Sequence, residues 1–460
     1  MSILLKSATV VDSESKYHLK KCDILIEKGI ISKIASSIPA QKNMQVISRH
    51  NLHVSRGWFD SGVCFGEPGF EERENIKNGL KTAALSGFTT LALNTNTYPV
   101  PDNKGAIRFL KTVAHNHGVT LLPNGCLTQK AKGEDLAELF DMQGEGALSF
   151  YDYKKPIANP NLLKIALQYT QSFNGLVQSY PCEKAIAPKG MVNEHLSATL
   201  LGLKGIPSLA ESLQVARDLY ILEYTGGRLH IPTISTKESV GLIKQAKKKG
   251  LQVTCSVSIN NLTLTDDVLE SFDTNYKLMP PLRTPQDVKS LKKGLKEGTI
   301  DMVTSDHNPI DIENKKIEFD HAKYGSVGLE SCFGALQKAT DSLIEEKGLD
   351  VFIKREDLIH DRISGNKWRK LHYNLQEATA KKHPNLLTFG GTYSNHIAAT
   401  AAAGKQYGFH TIGFIRGEAN QPLNPTLQYA VDCGMQLRYV SREDYRDKTS
   451  KAFAENYKAT

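Results

Sequence analysis

The sequence predicts an α/β protein made of a small β-domain, a (β/α)8 barrel and a second, separate α/β segment. Three observations predict this order. Residues 1–56 read as short strands and turns. Over residues 57–330, apolar strand-like runs alternate with helical stretches, which implies a parallel sheet closed by helices, and a barrel fits the length. Beyond about residue 340 the alternation restarts with a different composition. On pattern alone, a doubly wound open sheet is the alternative to the barrel.

The elements follow in chain order. Residues 23–34 alternate around Lys28-Gly29, a hairpin signal. The runs Thr89–Leu93, Leu176–Val177, Arg228–Ile231, Gln252–Val257 and Met302–Thr304 read as barrel strands. One intervening helix, Lys237–Lys249, opens after Ser235-Thr236 and stops at Gly250. In the last segment Leu349–Lys354 reads as a strand. Ser364-Gly365-Asn366-Lys367 then leads into a helical run. A strand enters the turn at Gly390-Gly391, the helix Asn395–Tyr407 is rich in Ala, and Thr411–Arg416 is another strand. The expected domains are therefore 1–56, 57–340 and 343–460. No Pro/Gly/Ser linker marks the last junction.

Composition excludes several classes of function. A chain of 460 residues, 40% hydrophobic and 23% charged, is expected to form more than one globular core. No apolar run approaches the roughly 20 residues of a membrane helix, and the N-terminus does not read as a signal peptide. The 7 Cys are dispersed without CxxC spacing, which points to reduced thiols and a cytoplasmic setting. The net charge is +8, and residues 343–460 carry 17 Lys+Arg against 13 Asp+Glu, so the excess is shared between the two parts. The one basic run, Lys247-Lys248-Lys249, reads as the solvated end of a helix, not a nucleic-acid surface.

In a barrel enzyme the chemistry sits at the C-terminal ends of the strands. A hydrolase of cyclic amides places Zn²⁺ there, held by His and carboxylate, to form hydroxide near neutral pH. Against that requirement stand Gly57-Trp58-Phe59-Asp60, Glu67-Pro68-Gly69 and Asn96-Thr97-Tyr98-Pro99-Val100-Pro101-Asp102, followed by the stretches 193–236, 280–309 and 319–330. In this order they resemble the dihydroorotase family of amidohydrolases over about residues 1–335. The resemblance implies an amidohydrolase barrel, a bound Zn²⁺ and closure or hydrolysis of the dihydroorotate ring in pyrimidine synthesis.

The positions that the resemblance makes catalytic have largely changed. Where the family carries Asp-x-His-x-His-x-Arg, this chain has Asp60-Ser61-Gly62-Val63-Cys64-Phe65-Gly66. An Asp-rich turn with a bridging ligand becomes Tyr151-Asp152-Tyr153-Lys154, in which Asp152 is either a relic ligand or a solvated turn residue. Later His positions fall at Pro181, at Thr233 of His230-Ile231-Pro232-Thr233, and at Asn260-Asn261; a substrate-binding Asn becomes Met279. Asn96 and His307 remain as substrate-binding positions, and Asp306 remains as the metal-ligand and general-base position. Without metal-bound water Asp306 has nothing to deprotonate. It is expected to be solvated or paired locally, and its change to Asn to alter stability within about 0.5 kcal/mol.

No bound metal is therefore expected, Gly62, Cys64, Asp152, Pro181 and Thr233 being relic positions. The chain reads as a non-catalytic dihydroorotase relative, resembling paralogues that act as scaffolds for aspartate transcarbamoylase; self-association is the other expected partnership. The competing reading is a working cyclic amidohydrolase with an atypical metal set of Cys64, Asp152, Asp306 and His307.

The last segment is similar to the start of the 1-aminocyclopropane-1-carboxylate deaminases and D-cysteine desulfhydrases. These belong to the tryptophan-synthase-β-like fold of pyridoxal-phosphate (PLP) enzymes. The resemblance makes Lys367 the Schiff-base lysine and Ser394-Asn395-His396 the loop on substrate carboxylate and cofactor. The region with that family's phosphate loop does not follow, so the segment is expected to be a truncated fragment holding no PLP, with residual deaminase activity as the rival reading. A gene fusion after deletion, or a mis-joined sequence, gives this pattern.

Overall fold

The computed structural model describes residues 2–340, 366–419 and 422–446. The chain divides into two compact units, Met1–Val351 and Phe352–Thr460. The strand expected over Leu349–Lys354, the Ser364-Gly365 step and the side chain of Lys367 lie outside the described residues.

The first unit opens with a five-stranded sheet in the order Ile30–Ala35, Lys21–Glu27, Ser2–Val11, Met44–Ser48, with His53–Ser55 pairing the far end of Ser2–Val11. The expected hairpin is present. Lys28 and Gly29, at φ 50° and 80°, form its two-residue turn. Positive φ at both central positions matches the twist of the flanking strands.

The barrel follows. Its parallel strands are Trp58–Val63, Phe88–Leu93, Thr120–Pro123, Val177–Gln178, Leu229–Ile231, Val253–Ser258 and Met302–Thr304. The strand between the third and the fourth of these is reduced to Phe150, which bridges Gly125 on one side and Val177 on the other. The ring closes through Asp60: its carboxylate accepts from Thr304 Oγ1 (2.6 Å) and from the Ser305 amide (3.0 Å), while the Cys64 amide donates to the His307 carbonyl (2.7 Å). These bonds tie the first barrel strand to the last.

Local chemistry sets the surrounding helices. Asn75 and Asn103 cap Ile76–Leu85 and Lys104–Val113 by accepting from Asn78 N and Ala106 N. Thr284 and Asp287 form a reciprocal capping box at Pro285–Lys296, with Pro at the first helical turn. The expected helix at 237–249 runs Lys237–Lys248 from a Thr236 cap, and Gly250 follows at φ 82°. Lys247 and Lys249 at its end pair with Asp301 and Glu223. Gly79 lies flat on the Phe65 ring, where a Cβ would stand 2.3 Å from the ring carbons. The apolar faces of strands and helices meet in one continuous core that includes Phe65, Leu91, Phe150, Leu229, Val257 and Leu291.

The second unit is a parallel three-stranded sheet in the order Asn385–Gly390, His410–Arg416, Gln436–Val440, with helices Asn366–Ala380, Asn395–Tyr407 and Pro425–Asp432. The Ala-rich face of Asn395–Tyr407 is what lets it lie close to the sheet. Ala399, Ala401, Ala402 and Ala403 are buried, and a Cβ on Gly404 would stand 2.2 Å from Thr411 Cγ2. Among the described residues no helix is long and apolar enough to cross a membrane.

Candidate functional site

The strand ends of the barrel converge on a small mouth lined by Ser61, Gly62, Asn94, Tyr151, Tyr153, Lys154, Gln178, Thr233, Ser256 and Asp306. Its central feature is an ion pair. Lys154 Nζ lies 2.9 Å from Asp306 Oδ1 and 3.0 Å from Oδ2. Asp306 is 5% exposed and its partner stands 152 residues away in the chain, so the expectation of a solvated or locally paired carboxylate is corrected here. The loops after two strands swing both side chains inward, and burial drives them together. Burial pushes the Asp306 carboxyl above its usual range, and the Lys154 ammonium opposes that rise. With the side chains in place, only about 10 Å³ of cavity remains.

The other residues singled out in the sequence are committed elsewhere. Asp152 is buried and points away from the mouth, accepting from the Leu127 amide (2.9 Å) and from the amide and hydroxyl of Thr128. It is thus a buried brace between two loops, and the solvated alternative is excluded. His307 receives the amides of Gly328 (3.1 Å) and Leu329 (3.4 Å) at Nδ1. Its proton therefore sits on Nε2 and is donated to Glu74 Oε2 at 2.7 Å. Asn96 donates to Asn308 Oδ1 (3.1 Å).

Cys64 is buried, accepts from Asn94 Nδ2 at 3.8 Å, and burial pushes its thiol up to about 11. His230 is held between Thr254 Oγ1 (2.9 Å) and Ser256 Oγ (3.3 Å), with burial pushing it down to about 4. Pro181 is buried and brings no donor atom. Asn260 donates to Ser326 Oγ (3.0 Å), and Asn261 to the Pro281 carbonyl (2.9 Å).

These residues do not fit a zinc ion. Zn²⁺ takes three or four ligands, with thiolate rather than thiol among them. Among the described residues no group of three or more His, Cys, Asp or Glu stands close enough to hold a metal. Asp306, expected from the sequence as the metal-ligand position, already has a cation on both oxygens. A side chain at Gly62 would begin 3.2 Å from the Asn94 amide nitrogen, in space the mouth now fills.

Three functional features escaped the sequence reading. Lys154 stands in the turn Tyr151-Asp152-Tyr153-Lys154, where nothing local marks it as the partner of Asp306. Glu74, the partner of His307, lies 233 residues from it. Tyr153 fills the mouth beside Cys64. A search for a buried cation to match the buried Asp306 is the signal that would have found Lys154.

In the second unit Ser394 opens the helix Asn395–Tyr407 without a side-chain cap bond. His396, Thr388 and Thr400 line a cavity of about 530 Å³. The side chains of Lys367 and Asn395 are outside the described set.

Comparison with known proteins places this geometry. Dihydropyrimidinase from Brevibacillus agri shares the fold: it superposes with a TM-score of 0.62 at 21% identity, over 74% of this chain and 77% of that one. L-hydantoinase from Arthrobacter aurescens gives 0.61 at 22%, over 72% and 75%. A family model described as Dihydro-orotase-like matches residues 54–239. A dihydroorotase from Thermoanaerobacter is 39% identical over 337 residues, 73% of this chain and 78% of that protein. Another from Geotalea daltonii is 38% identical over 352 residues, 76% and 82%. The chain belongs to the dihydroorotase family.

Proposed function

We propose that the barrel is a non-catalytic dihydroorotase-family protein of pyrimidine biosynthesis. The observation that carries this reading is the Lys154–Asp306 pair, which puts an ammonium on the carboxylate that a metal would need, in a mouth with about 10 Å³ of free space. A dihydroorotate ring does not enter such a volume. The rival metal set of Cys64, Asp152, Asp306 and His307 would require each donor to leave a buried partner. The family fold supports a scaffold role, with aspartate transcarbamoylase or a second copy of the chain as partner. The second unit is, on this reading, related to the opening part of a PLP-dependent deaminase fold.

Ring opening of dihydroorotate by the purified chain, with Zn²⁺ added, tests the proposal. The expected rate is that of the buffer. A protein-dependent rate that saturates with substrate would overturn it.

A further inference from the structure

The barrel mouth holds a buried carboxylate together with its compensating cation. A buried carboxylate needs a compensating charge, because an isolated one is strongly disfavoured away from water. Here the charge comes from the protein itself, on the side chain of Lys154, which meets both oxygens of Asp306.

Two further observations show that this is a built site. Lys154, Thr233 and Asp306 all hold left-handed backbone conformations, at φ 52°, 50° and 49°. For a β-branched residue such as Thr233 that conformation is strained, and such strain persists only where the surroundings enforce it. All three residues line the same cavity. That cavity also collects orphaned polar atoms. Ser61 Oγ, Tyr153 Oη and Thr233 Oγ1 are buried without a hydrogen-bond partner of ordinary geometry, the Cys64 thiol beside Tyr153 being a weak one. Three unpartnered hydroxyls around one cavity are a large penalty unless something polar sits among them. About 10 Å³ is the room that one water takes. An ammonium carries three N–H groups, of which Asp306 accepts two, so the third is available to that water.

We infer that the barrel mouth is a tethered-cation site: the Lys154 ammonium on Asp306, completed by one buried water among the hydroxyls of Ser61, Tyr153 and Thr233, replaces the metal centre. The inference rests on the non-catalytic reading above. It goes further in assigning the site a resident charge and a ligand, a single water. It also makes Lys154 a residue that the closed mouth requires.

Chemical rescue tests this. Lys154→Ala removes the cation and leaves space for a short alkylammonium ion. Its Tm is expected to fall by roughly 5 °C or more. Propylammonium chloride should restore much of that loss, and tetramethylammonium chloride, which has no N–H to donate, should not. Wild-type Tm should respond equally to the two salts. Where Lys154→Ala does not fold, a cycle of Lys154→Met, Asp306→Asn and the double variant decides. The double variant is expected to be more stable than the two single losses sum to. Strictly additive losses, an unchanged Tm in Lys154→Ala, or equal rescue by both salts would each overturn the inference. A wild-type crystal is expected to hold Lys154 on Asp306 with one water in the cavity, and a metal ion on Asp306 would overturn it. Ring opening by the wild-type chain is read separately, so failure of the non-catalytic reading is distinguishable from failure of the tethered cation.

Discussion

His307 donates its Nε2 proton to Glu74 across 2.7 Å, and two backbone amides occupy its other ring nitrogen. A histidine whose place in the family suggests substrate binding is thus a strut between the last strand and the loop before the first helix. His307→Ala should leave Glu74 Oε2 and two buried amides without partners, while Glu74 Oε1 still accepts from Asn78, at about 2–3 kcal/mol of unfolding free energy. Glu74→Gln keeps an acceptor for the ring proton and should lose less. Urea unfolding of the two variants beside the wild type checks the order.

Asp306→Asn is expected to destabilise the barrel by about 3 kcal/mol, because it strands the Lys154 ammonium in a buried site. Differential unfolding measures this directly. A change within about 0.5 kcal/mol, as at an exposed position, would show that the pair is not closed in solution.

Stability should fall in mild acid, and His230 sets part of the slope. Burial holds its folded-state value at about 4, against 6.5 for the unconstrained side chain. Between those two values the unfolded chain binds a proton that the folded chain refuses. Unfolding free energy should therefore be fully supported above pH 6.5 and decline as pH falls toward 4, by about 3 kcal/mol from this group. His230→Gln should flatten the curve in that window by close to one proton. An equal slope in wild type and variant would contradict the assignment.

Much of this architecture was legible in the sequence, and the gaps have physical causes. The hairpin at Lys28-Gly29 and the strands at 228–231, 252–257 and 302–304 follow from short-range pattern and turn chemistry, and the structure places strands there within a residue or so. Phe150 escaped notice because one bridging residue leaves no period of two to read. The site was legible mainly as losses. Comparing Gly62, Pro181 and Thr233 with an expected ligand pattern shows which donors are absent, but not what fills the space. The pairs Lys154–Asp306 and Asp60–Thr304 join residues 152 and 244 positions apart, and nothing local encodes such contacts.

On the proposed reading of the second unit, PLP added to the full chain should give at most a weak imine absorbance, like that of any exposed lysine. A visible-spectrum titration of wild type beside Lys367→Ala checks this. A saturable imine band lost in the variant, with deamination of a small amino acid, would mean the second unit is a working enzyme.

On this reading the barrel holds an internal cation where a metal centre would stand. Metal content after incubation with excess Zn²⁺ and gel filtration tests it most directly. Far less than one zinc per chain is expected, with no change on Asp306→Asn. Close to one zinc per chain, lost in Asp306→Asn, would contradict it.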